Sequence, residues 1–111
     1  MDFWTTWCPP CRADALALEK LHAKFGDKDL AIIGVSVSEK KELVEWFLKE
    51  HPHSFPTLLT TENEMPRPYQ FGVFPTYIVI SKDGTLVSAF EGDQGFGELR
   101  KQLRKAGLEV E

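Results

Sequence analysis

The chain has 111 residues, 42% apolar and 27% charged, with a formal net charge of −4. That is one domain with enough apolar side chains for a packed core, which excludes a disordered polypeptide. The acidic balance argues against a nucleic-acid-binding surface, and no apolar run approaches the ~18 residues of a membrane span.

Met1 to Trp4 reads as the tail of a strand. From Pro9 or Pro10 to Phe25 the spacing is helical. Leu18, Leu21 and Phe25 recur at i, i+3 and i+7, with Ala15, Leu16 and Ala17 filling in. Prolines are tolerated in a first turn, and Gly26 supplies a stop. Leu30 to Val37 is a nearly continuous β-branched run and predicts a strand covered on both faces. Ser38 predicts a cap for a helix over Lys40 to Glu50, with the stripe Leu43, Val44, Phe47 and Leu48. Trp46 and Phe55 read as packing residues. Phe55 to Thr60 predicts a short strand broken by Pro56. Pro66 and Pro68 leave room for one helical turn, around Arg67 to Phe71. Thr76 to Ile80 and Thr85 to Glu91 predict strands joined in a hairpin at Lys82-Asp83-Gly84. Gly92-Asp93-Gln94-Gly95 reads as a loop. Phe96 to Ala106 predicts a last helix, with Leu99 and Leu103 inward and Gly107 as terminator. The order predicts an α/β sandwich with a mixed sheet, its first strands parallel and its last pair antiparallel.

The chain's two cysteines stand in Trp7-Cys8-Pro9-Pro10-Cys11. Random placement would give this spacing in roughly 2% of cases, so the pair is a signal in itself. A disulfide closing so short a loop would stabilise the fold little, which points to reactive chemistry. Structural zinc needs four Cys/His ligands. His51 and His53 are too close in sequence for that pattern and His22 stands alone, so all three histidines read as surface polar residues. No metal and no cofactor is expected.

The helix reading puts the cysteines at a helix N-terminus, where unpaired N–H groups favour a thiolate. Cys8, just before the helix and exposed, is expected to attack. Cys11, one turn in and more buried, is expected to resolve. Pro9 and Pro10 carry no N–H, which leaves the Cys11 amide as the nearest backbone donor to Cys8. They also stiffen the turn and should tune the reduction potential. Release of a substrate requires Cys11 to lose its proton. Asp2, on the incoming strand, and Asp14, one turn beyond Cys11, are the acids expected to take it.

The segment Phe3-Trp4-Thr5-Thr6-Trp7-Cys8-Pro9-Pro10-Cys11 closely resembles the active site of the thioredoxin-like superfamily. With Arg12-Ala13-Asp14 it is most similar to the TlpA/ResA-type thiol–disulfide oxidoreductases. Tyr69-Gln70-Phe71-Gly72-Val73-Phe74-Pro75-Thr76 is a second match. The resemblance implies a cis bond before Pro75, a proline that faces the cysteines. It also implies a substrate groove formed by Trp7, Pro9, Pro10, Phe74 and Thr76, with main-chain hydrogen bonds to an extended segment. Trp4 and Trp7 would shield the site. The chain departs from the pattern at Asp14 (usually Glu), Leu16 (usually Pro) and Asp2 (Asn in much of this branch). Thr76 is not acidic, which weakens a role in haem-protein maturation.

The implied fold is a thioredoxin-like three-layer sandwich with helices on both faces of a mixed sheet. The family has an N-terminal hairpin and most of a central strand ahead of this point, whereas here only Met1, Asp2 and Phe3 precede Trp4. The hairpin is therefore expected to be missing and the first strand truncated. The chain is then a fragment, or a homodimer in which a second copy completes the strand.

The expected function is thiol–disulfide oxidoreduction, as a reductase of protein or peptide disulfides fed by an upstream thiol donor. The resemblance favours a bacterial periplasm or cell envelope. A cytoplasmic site stays open because no leader is visible. Two alternatives stand beside it: a non-catalytic binding module or adaptor on the same fold, and a thiol peroxidase-like antioxidant protein. The latter usually presents a Thr-x-x-Cys site, which this sequence lacks.

Overall fold

The computed structural model describes residues 1–26, 29–61, 74–92 and 94–108. Its elements are β1 (Asp2–Trp4), α1 (Pro9–Phe25), β2 (Gly34–Val37), α2 (Lys41–Glu50), β3 (Thr57–Thr60), β4 (Thr76–Ile80), β5 (Leu86–Glu91) and α3 (Gly95–Lys105). The turn expected around Arg67 to Phe71, the first five residues of the second motif and Asp93 lie outside the described residues.

The sheet order is β3-β2-β1-β4-β5. β1, β2 and β3 run parallel, joined by the helical crossovers α1 and α2. β4 is antiparallel to β5, as the tight hairpin at Lys82-Asp83-Gly84 requires, and antiparallel to β1 on its other side. Two right-handed crossovers stepping the same way put α1 and α2 on one face of the sheet. Side-chain alternation sends Asp2, Trp4 and Tyr77 to that face and Phe3 to the other.

The helical face holds two clusters. Ala17, Leu18 and Leu21 of α1 meet Leu99 of α3 over Ile32, Phe55 and Tyr77. Val44 and Phe47 of α2 meet Trp4 and both cysteines. The opposite face carries Phe3, Val35, Val37 and Ile78, all buried. The three described helices pack on the first face, and among the described residues no helix covers the second.

Several boundaries differ from expectation for local reasons. The strand expected from Leu30 is regular only from Gly34. The N–H of Asp2 donates to the Ile33 carbonyl at 2.9 Å, and the ladder with β1 runs from there through Gly34, Val35 and Ser36. Ser38 does not cap α2. It takes a left-handed turn (φ 56°) and its N–H extends the β2–β3 ladder to the Thr60 carbonyl at 2.7 Å, while Lys40 becomes the N-cap. Gly26 ends α1 with right-handed φ. Its use is space, since a Cβ there would lie 2.4 Å from the His22 carbonyl oxygen.

Exposure also corrects the sequence reading. Leu16, Leu43 and Trp46 face solvent, because the buried sides of α1 and α2 are narrower than the apolar spacing suggested. His22 and His53 are half-buried, not surface residues. The His53 ring stacks on Phe55 at 3.9 Å and shares a 2.7 Å hydrogen bond with Thr57, and burial lowers its pKa.

Candidate active site

β1 ends at Trp4, a three-residue loop follows, and Cys8 becomes the N-cap of α1 with extended backbone (φ −95°, ψ 104°). Pro9 and Pro10 fill the first two helical positions and have no N–H to offer. The Cys11 N–H donates to Cys8 Sγ at 3.1 Å. This is the backbone polarity that favours a thiolate at Cys8 when the pair is reduced. In the structure the two cysteines are joined in a disulfide, with Cα atoms 5.3 Å apart.

The expected contrast in exposure is not there. Cys8 is 2% exposed and Cys11 is 5% exposed. Trp4, Val44 and Phe47 pack against both residues, and Phe74 leans on the same cluster. What distinguishes the sulfurs in this state is the helix cap and not accessibility.

The Phe74–Pro75 peptide bond is cis, as the resemblance implied. Pro75 is fully buried, and its carbonyl accepts the N–H of Gly92 at 2.8 Å. Trp7 is 68% exposed and meets the Phe74 ring edge-on, with centroids 5.9 Å apart. Trp7 and Pro9 are therefore open to solvent, with Pro10 and Phe74 half-buried beside them. Thr76 differs. It pairs with Phe3 on one side and Glu91 on the other and is buried, so its side chain adds nothing to an open groove. Trp4 lies under the site as a wall, again as implied.

The two acids have different surroundings. Asp14 is buried on α1, and its carboxylate accepts hydrogen bonds from β4 and from the start of α3. Among the donors are the Tyr77 hydroxyl at 2.7 Å, the Gln94 N–H at 3.0 Å and the Gly95 N–H at 2.9 Å. Through these bonds Asp14 ties the cysteine helix to β4 and to the start of α3. Asp2 lies opposite Tyr77 in the sheet and is equally enclosed. Its Oδ1 has no hydrogen-bond partner among the described residues. Burial pushes its pKa up to about 7; the chain's amino group opposes the shift and the charge of Asp14 adds to it.

Two residues at the site carry no signal in the sequence. Tyr77 reads only as a strand aromatic, yet its hydroxyl fastens Asp14. Glu39 stands just before α2 with no role assigned to it from the sequence, yet it accepts hydrogen bonds from Thr6 in the cysteine loop.

The Redoxin family profile matches residues 1–103. The thiol-disulfide oxidoreductase ResA of Bacillus thuringiensis subsp. konkukian (strain 97-27) is 30% identical over 105 residues, 95% of this chain and 61% of that protein. ResA of Bacillus subtilis (strain 168) is 29% identical over 92 residues, 83% of this chain and 51% of that protein. The chain thus spans about three fifths or less of the length of these relatives. Among solved structures, a proposed thiol:disulfide interchange protein DsbE from Chlorobium tepidum superposes with a TM-score of 0.83 at 26% identity, covering 95% of this chain and 76% of that one. A thioredoxin-related protein from Neisseria meningitidis serogroup B gives 0.80 at 25% identity, covering 96% and 82%. The profile match, the mixed five-stranded sheet and the capped cysteine pair agree, and the chain belongs to the redoxin family of thioredoxin-fold proteins.

Proposed function

We propose that the chain is a thiol–disulfide oxidoreductase that reduces disulfides of proteins or peptides. The observation that carries this reading is the Cys8–Cys11 pair at the mouth of α1, with the Cys11 amide donating to Cys8 Sγ. In the reduced protein the Cys8 thiolate attacks one sulfur of the substrate disulfide. That bond breaks, a Cys8–substrate mixed disulfide forms, and the first substrate sulfur leaves as a thiolate that takes a proton. Cys11 then gives up its proton and attacks Cys8 Sγ. The mixed disulfide breaks, the second substrate thiolate leaves and is protonated, and Cys8–Cys11 is oxidised. Two electrons have passed to the substrate, and an upstream thiol donor returns them.

Asp2 is the better acceptor for the Cys11 proton. It is the acid with an unpartnered oxygen and with a pKa near neutrality, where a carboxyl group can both take and return a proton. Asp14 instead holds the helix. Trp7, Pro9, Pro10 and Phe74 form the surface along which an extended substrate segment would lie.

The test is Cys11→Ser. With the second step blocked, the variant accumulates a covalent complex with a disulfide-containing protein, and mass spectrometry locates the bond at Cys8. No complex, or one through another group, rejects the reading. A homodimer is a further part of the proposal. A cavity of about 630 Å³ is lined by residues 30–32, by Val79 and Ile80 of β4, by Ser81, and by Leu18 and Leu21 of α1 and Leu99 of α3, and an extended segment of a second copy is proposed to fill it. Light scattering at the 12.6 kDa monomer mass rejects this part alone.

A further inference from the structure

Thr6 stands two residues before Cys8, in the loop between β1 and α1. Its backbone N–H donates to Glu39 Oε1 at 2.8 Å, and its hydroxyl donates to Glu39 Oε2 at 2.5 Å. One carboxylate thus grips both donors of a single residue. Ser36, completely buried at the end of β2, donates its hydroxyl to the same Oε1 at 3.0 Å. Three hydrogen bonds converge on this half-buried side chain, two of them from a loop 33 residues away and one from its own neighbourhood.

Glu39 follows a conformation that serine seldom adopts. Ser38 has φ 56°, in the left-handed region, and this turn reverses the chain just past β2. The sheet pairing through the Ser38 N–H is complete without Glu39. A strained backbone next to a converging carboxylate is the pattern of a residue set for a task. Among the described residues the loop is otherwise held by packing, with Thr5 and Cys8 buried and Trp7 against Phe74, and these contacts set no hydrogen-bond direction for Thr6. The N–H of Cys8 reaches the Thr5 carbonyl only at 3.4 Å. In the oxidised protein the disulfide holds Cys8, but reduction removes that link.

We infer that Glu39 is a positioning residue for the attacking thiol, acting through Thr6 to hold Cys8 Sγ at the Cys11 amide and Trp7 against Phe74 in the reduced protein. The inference rests on the reading of Cys8 as nucleophile given above. It acts by geometry, so a neutral side chain with the same hydrogen-bonding shape can replace it. In Glu39→Gln the side-chain carbonyl still accepts from the Thr6 N–H. Its amide donates to the Thr6 hydroxyl oxygen, which can accept as well as donate.

The experiment follows Cys8 alkylation by iodoacetamide against pH in the reduced full chain, with protein-disulfide reduction measured in parallel. Glu39→Ala is expected to raise the alkylation midpoint by roughly half a pH unit or more, because the sulfur drifts from its N–H donor. Its reduction rate should fall about tenfold. Glu39→Gln should keep the wild-type midpoint. Thr6→Val removes only the hydroxyl arm and should give a smaller shift in the same direction, which also serves if Glu39→Ala does not fold. A folded Glu39→Ala with an unmoved midpoint makes the residue merely structural and overturns the inference. A midpoint that falls in both Glu39 variants reveals a charge effect and overturns it equally. A wild-type protein that alkylates normally but reduces no protein disulfide sinks the proposed function and leaves the thiol measurement to judge Glu39.

Discussion

Replacing Cys8 by serine is expected to lower protein-disulfide reduction by a thousandfold or more. The reason is chemical. A hydroxyl at the helix cap stays protonated at neutral pH and is a poor nucleophile toward sulfur, whereas the thiol is poised to ionise. Removing the attacking group of a unit that acts together typically abolishes nearly all of the rate, on the order of 10³-fold or more. The fold should survive, because a disulfide that closes so short a loop contributes little stability. Initial rates with a small thiol as donor, alongside a thermal melt, check both halves. Exposure cannot replace this experiment, since both sulfurs are equally enclosed in the oxidised state. Retention of more than about a tenth of the activity by Cys8→Ser would reverse the roles given to the two cysteines.

Asp2→Asn is expected to stabilise the protein at pH 8 and to flatten its dependence on pH. Burial raises the Asp2 pKa from 3.8 to about 7 in the folded chain. Between those values the folded state keeps a proton that the unfolded chain has lost. Stability therefore falls as pH rises from about 4 to about 7, and levels off above that. The full penalty is on the order of 4 kcal/mol. Asparagine preserves the shape and carries no charge, so the variant avoids this loss. Denaturant titrations at pH 5 and pH 8 should show a large difference for the wild type and a small one for Asp2→Asn. Asp14→Asn should behave otherwise, losing stability at both pH values as its hydrogen bonds to Tyr77, Gln94 and Gly95 weaken. In turnover, Asp2→Asn should slow the second step near neutrality. An unchanged pH profile for Asp2→Asn would remove Asp2 as the titrating group.

Local chemistry made much of this protein legible before its structure. Two prolines behind Cys8 leave one amide to face it, and the 3.1 Å bond from Cys11 follows from that. Lys82-Asp83-Gly84 dictates the hairpin, with Gly84 at φ 89°. What stayed hidden depends on partners far along the chain. Asp14 is 80 residues from Gln94, and Thr6 is 33 from Glu39, so nothing in their neighbourhoods announces the contacts. Ser38 has the right chemistry for a cap, yet its backbone is set left-handed (φ 56°) at the end of the β2–β3 ladder and α2 starts two residues later, with Lys40 in the cap position. The burial of Cys8 depends on Val44 and Phe47 arriving from α2, which no spacing near the cysteines reveals.

The attachment of Asp14 to the turn between β5 and α3 has a practical consequence. That turn looks like a surface connection, the usual choice for inserting a tag or opening the chain for permutation. Its amides instead anchor the second turn of the helix that bears the redox pair. Splicing extra residues there would be felt at the sulfurs, and a graft meant to be silent would retune the chemistry.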